Sequence, residues 1–207
     1  MGTFDYPHDR TGLLLIDPYN DFLAEGGKLQ GRAKEVMERV DTIAHMRAIV
    51  ATARAAGIRV FYVPHHRARP NDFASWRFPT PYQLGADQVQ AFAVDTWGGS
   101  WHEDFQPYEG DVFVKEHWSS GFAGTDLDLQ LRQHGLDRIV LIGMIANTCL
   151  EATGRYGMEL GYHVTLVRDA TAAFSDEAMR CAHDINGPTY AHAIVDTDAL
   201  LAAFPRH

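Results

Sequence analysis

Cysteine is scarce in this chain: two in 207 residues, Cys149 and Cys181, with no CxxC spacing. A disulfide framework and a zinc ribbon are thereby excluded, and a reducing, cytoplasmic setting is expected. Basic charge is also thin, with 18 Lys and Arg against 27 Asp and Glu, a net charge of -9 and no cluster of four or more cations. Nucleic acid and anionic membrane surfaces are therefore not expected as partners. No apolar run approaches the ~20 residues that would cross a bilayer. Residues 1–10 carry Asp5, His8, Asp9 and Arg10 where an export signal would need a basic end and an apolar stretch. Neither a GxxxxGK[ST] phosphate loop nor a GxGxxG turn after the first strand is present, so nucleotide chemistry finds no support and no cofactor is expected.

What is there suits one soluble α/β domain spanning 1–207, since 46% hydrophobic and 22% charged residues leave room for a sizeable core. Short apolar runs alternate with longer amphipathic ones. Leu13, Leu14, Leu15 and Ile16 read as a buried strand that stops at Asp17 and Pro18. Val36, Val40, Ile43, Ile49 and Val50 recur at near-helical spacing, which predicts one helix over 33–56 that Gly57 ends. Further strands are predicted at 58–63, 111–115, 138–142, 162–167 and 193–195, with helices at 125–134, 147–160, from 175 onward and at 197–204. About six strands separated by helices imply a doubly wound, Rossmann-like, mainly parallel sheet with helices on both faces. Residues 69–108 break the rhythm with four prolines and with Trp76, Trp97 and Trp101. This stretch reads as an elaborated crossover or lid with one short helix near 83–92.

Open parallel sheets bind ligands at the carboxyl ends of their strands. Asp17 closes the first strand, Lys115 the third, and Cys149 follows the fourth in the first turn of a helix. Each has a plain structural reading: Asp17 as turn chemistry, Lys115 as a solvated strand end, Cys149 as a small buried hydrophobe. Their coincidence at strand ends points instead to a base, an orienting cation and a nucleophile, the parts acyl transfer requires. The helix macrodipole and a nearby Lys predict that Cys149 ionises more readily than a free thiol. Cys181, mid-helix, is read as a small core residue.

Four blocks in order, Leu14 to Phe22, Lys115 with Phe122 to Leu127, Gly143 to Leu150, and Gly161-Tyr162 leading to Asp169-Ala170, resemble the isochorismatase-like cysteine hydrolases over about residues 11–200. The resemblance implies a triad of Asp17, Lys115 and Cys149. Asp17 would take the thiol proton, and Cys149 would form a thioester with an amide, ureide or carbamoyl carbon. It also implies an oxyanion hole from the backbone N–H groups of Ile145 and Cys149, with a cis peptide between Met144 and Ile145. Nicotinamidases of this family hold a metal through an Asp-x-His segment. Here that segment reads Pro64-His65-His66, so no metal is expected, and His65 and His66, with Trp118 and Phe122, are expected to line the substrate pocket. The partner implied is a small amide-like molecule, and the assembly a homo-oligomer, dimer or tetramer. Two alternatives remain at this level: vinyl-ether hydrolysis without a thiol, which the presence of Cys149 disfavours, and a non-catalytic binding protein.

Overall fold

The computed structural model of the protein describes residues 5–205. The opening residues of the 1–10 stretch and the last two of the chain lie outside them. The elements run in the order β1 (Thr11–Ile16), α1 (Asn20–Leu23), α2 (Gln30–Arg39), α3 (Thr42–Ala55), β2 (Arg59–Val63), α4 (Pro81–Gln88), β3 (Val112–Phe113), α5 (Leu127–Gln133), β4 (Arg138–Met144), α6 (Glu151–Glu159), β5 (His163–Ala172), α7 (Asp176–Arg180), β6 (Ala193–Val195) and α8 (Thr197–Ala203). The strands form one six-stranded sheet in the order β3-β2-β1-β4-β5-β6, parallel at every pairing.

β1 shows why both faces must be covered. Successive side chains of a strand point to opposite faces. Leu13 and Leu15 enter one core with Val60, Tyr62, Val140 and residues of α2, α3 and α8, while Leu14 and Ile16 enter the other with Phe61, Val63, Leu141 and residues of α5. The whole of β1 is buried, as its unbroken apolar run requires. Because β1 lies between β2 and β4, the strand order reverses beside it, and the ends of these three strands open onto a common crevice.

Three predicted elements differ in detail. The helix expected over 33–56 is two, because Asp41 takes a left-handed conformation (φ 51°) that breaks it between α2 and α3. The helix expected from 147 begins as a π-helical turn, Ala146–Leu150, before α6. The helix in the Trp-rich segment starts at Pro81, earlier than expected, where Thr80 and Gln83 form a reciprocal cap. The Thr-Pro-x-Gln spelling is itself a capping-box signal with Pro at the first helical position.

The Trp-rich segment is tied to the sheet by two buried side chains of α1. Asp21 accepts from the backbone N–H of Phe92 (2.7 Å) and of Lys28 (3.0 Å), and Asn20 Nδ2 donates to the Trp97 carbonyl (2.8 Å). Trp101 stacks on Tyr19 at 4.8 Å. The segment is thereby held over the carboxyl end of β1.

Candidate active site

Asp17 follows β1 in a left-handed conformation (φ 53°), which turns its side chain back across the strand end, and it is fully buried. Asp tolerates this region better than most residues, though at some cost in strain. Its Oδ1 lies 3.1 Å from Nε2 of His117, also fully buried. Asp17, His117 and Cys149 each turn one side-chain donor or acceptor atom to a common point, all within 4.8 Å of one another. Asp17 Oδ2 and His117 Nδ1 have no hydrogen-bond partner among the described residues, which leaves one carboxylate oxygen open to a thiol proton.

Cys149 is held by the turn after β4. Gly143 at the end of that strand has φ 116°, and a Cβ there would run into the Ile16 carbonyl, so only glycine lets β4 close against β1 at this level. Met144 and Ile145 are joined by a cis peptide, where the resemblance placed it. The backbone N–H of Ile145 faces the Cys149 sulfur, and Thr148 Oγ1 lies 3.7 Å from it. The Thr153 hydroxyl then locks the turn, donating to the Cys149 carbonyl (2.6 Å) and accepting from the Gly121 N–H (2.8 Å).

The thiol is not acidified, contrary to the expectation from the macrodipole. Burial raises its pKa well above the ordinary value, and the Asp17 carboxylate raises it further, against smaller opposing contributions from Thr148 and the Ile145 N–H. Burial and the facing carboxylate outweigh the dipole of the helix that this π turn opens. The resting site holds a neutral thiol facing a carboxylate, so ionisation must accompany proton transfer to Asp17.

Lys115 is not brought to this cluster. It is exposed, and its backbone N–H donates to Asp126 Oδ1 (2.8 Å), whose carboxyl is held below the ordinary range chiefly by that hydrogen bond and one from Gln130. Only Val112–Phe113 pair as β3, and the chain then bends, so that the residue turned inward is His117, two positions on. The isolated parallel bridge between His65 and His117 and the bonds from His66 N–H to the His117 carbonyl (2.7 Å) and from His117 N–H to the Pro64 carbonyl (2.8 Å) fix that bend. In the sequence nothing separates His117 from the ten other histidines.

A cavity of about 230 Å³ opens on Cys149. Its walls include the expected His65 and Trp118, and also Phe22, Phe92, Thr80, Tyr82 and Gln83, the last three from α4 and its cap. His65, with its pKa lowered by burial, packs edge-on against His117 at 5.5 Å. His66 lines a smaller adjoining hollow, stacks on Trp118 at 3.9 Å, and is held by Asp72 (2.8 Å) and Glu116 (3.4 Å). Phe122, by contrast, is not at the cavity. It is buried in the second core against Tyr162 (5.5 Å) and Tyr156 (6.0 Å). Cys181 is part-buried at the start of a second π turn and takes no part.

Thiolate, imidazole and carboxylate together are also donors a zinc ion accepts, so Asp17, His117 and Cys149 are the residues that could hold one. Binding there would occupy the nucleophile and its base together.

Known proteins place this architecture. The Isochorismatase domain matches residues 11–191, and the chain belongs to that family. Among curated relatives, the ureidoacrylate amidohydrolase RutB of Pantoea ananatis is 29% identical over 191 residues, covering 87% of this chain and 76% of that protein. RutB of Acinetobacter baylyi is 26% identical, covering 95% and 84%. Of solved structures, a cysteine hydrolase from Pseudomonas syringae superposes with a TM-score of 0.80 at 24% identity, covering 99% of this chain and 97% of that one, a likeness of fold. N-carbamoylsarcosine amidase from Thermoplasma acidophilum gives 0.66 at 25%, covering 91% and 97%.

Proposed function

We propose that the protein is a hydrolase of carbon–nitrogen bonds other than peptide bonds, releasing ammonia or a small amine from a small amide, ureide or carbamoyl compound through a Cys149 thioester. The observation that carries this is the buried meeting of a neutral thiol, a carboxylate with a free oxygen, and a cavity that opens on the sulfur. The relatives named as amidohydrolases support the bond type.

In this reading Asp17 takes the Cys149 proton as Sγ attacks the carbonyl carbon, and returns it to the departing nitrogen. His117 takes the place expected for Lys115, holding Asp17 so that its second oxygen faces the thiol. The Ile145 and Cys149 N–H groups receive the oxyanion. Losing one such donor costs typically about 3 kcal/mol of barrier. Water, activated by Asp17, then releases the acid.

The test is ammonia release across primary amides, N-carbamoyl compounds, ureides and biuret, with Cys149→Ala alongside. Turnover that vanishes in a folded Cys149→Ala protein is expected, whereas turnover that survives refutes the thioester. Isochorismate turnover insensitive to thiol alkylation would instead support vinyl-ether hydrolysis.

A further inference from the structure

Charge is missing from the cavity that opens on Cys149. The aromatic walls of Phe22, Tyr82, Phe92 and Trp118 are interrupted by neutral polar groups, Thr80 and Gln83 among them, and no Lys, Arg, Asp or Glu lines it among the described residues. His65 in the wall is kept toward its neutral form by burial, and burial likewise raises the pKa of the Tyr82 phenol. The buried Asp17 side chain lies within 4.8 Å of the Cys149 sulfur, on which the cavity opens.

None of the neighbouring cations lines the cavity. Arg67 is paired with Glu116 at 2.7 Å, Lys28 Nζ donates to the Gln90 carbonyl at 2.6 Å, and exposed Arg32 lies over the Phe174 ring at 4.1 Å, its charge reaching the wall only as the smallest influence on Tyr82. The adjoining hollow adds carboxylates, Asp72 and Asp87, rather than cations. A carboxylate carried into this space would lose its hydration and find no cation in the lining to pair with, beside an adjoining hollow that holds carboxylates, each of which is unfavourable.

We infer that the substrate is an uncharged amide or ureide with a flat or short apolar body, and that carboxylate-bearing compounds such as ureidoacrylate are discriminated against. The inference rests on the proposed function in that it assigns a substrate class to the same site. At about 230 Å³ the cavity lies below the roughly 300–1,000 Å³ of drug-sized pockets, which favours a compact molecule.

Matched pairs differing in one carboxylate test this: benzamide against 4-carbamoylbenzoate, and propylurea against 3-ureidopropionate. Binding is measured calorimetrically to Cys149→Ala, and turnover with the intact enzyme. The neutral member of each pair is expected to bind and react at least about tenfold better. Ser119→Lys, which adds a cation at an exposed position on the cavity wall, is expected to narrow or reverse the preference.

Equal or better binding of the acids overturns the inference, as does failure of both members to bind. Preferential binding of the neutral members with no turnover by intact enzyme upholds the inference and refutes the hydrolase reading. Turnover that prefers the acids does the opposite.

Discussion

Replacing His117 with Leu leaves the buried Asp17 side chain with no partner but the facing Cys149 thiol. Both side chains are fully buried, the contact is 3.1 Å, and Oδ2 already has no partner to share the charge. Removing one member of a buried pair costs about 3–5 kcal/mol, mostly through the charge left behind, since Leu nearly conserves the volume. For a chain of this size each kcal/mol lowers Tm by roughly 2–4 °C, so a fall of roughly 6–20 °C is expected by calorimetry. Asp17→Asn in the same background removes the stranded charge. The double variant should therefore be more stable than His117→Leu alone, with a coupling of at least about 2 kcal/mol, while remaining inactive. His117→Asn, which keeps a donor, should recover stability first and some activity with it. A loss below about 1 kcal/mol in His117→Leu, or additive effects in the cycle, would refute the view that His117 holds Asp17 in place.

Other outcomes follow from the same geometry. Asp17→Asn removes a charge that raises the Cys149 pKa, so Cys149 should be alkylated faster at neutral pH while hydrolysis is lost; slower alkylation would contradict the placement of that carboxylate. Buried Cys149, and Tyr62 with its pKa pushed up to about 12, both hold their protons longer when folded. The unfolded chain releases these protons from about pH 9 upward, so stability should fall as pH rises past that point, and the fall should be shallower in Cys149→Ala, as read from urea midpoints. Gly143→Ala drives a methyl into the Ile16 carbonyl and should reduce both Tm and turnover, in contrast to Gly31→Ala, where the added carbon meets nothing. Micromolar zinc should inhibit reversibly through Asp17, His117 and Cys149, with EDTA restoring activity and His117→Asn weakening the effect.

Much of the fold was legible from local chemistry. Continuous apolar runs of four to seven residues are too short for buried helices and suit strands covered on both faces, and the glycines and caps between them mark the turns. That Asp17 and Cys149 stand at neighbouring strand ends was legible for the same reason: a strand ends where its apolar run ends, and the ends of parallel strands share one edge. Lys115 was misplaced because β3 pairs for only two residues, and periodicity does not report where a strand stops pairing and bends. The acidity expected of Cys149 does not hold because a dipole is a local property, whereas the burial is set by the packed fold and the facing carboxylate comes from Asp17, more than a hundred positions away.

The sequence by itself thus determined the parallel α/β sheet, the placing of Asp17 and Cys149 at its edge, and the family, since strand runs, caps and motif spacing are written in neighbouring residues. Only the tertiary structure decided that His117 is the ring that meets Asp17, that Phe122 belongs to the core, and that α4 helps close a cavity with no Lys, Arg, Asp or Glu in its lining over the thiol. Those outcomes depend on how segments far apart in the chain pack, and on which polar groups that packing strips of water.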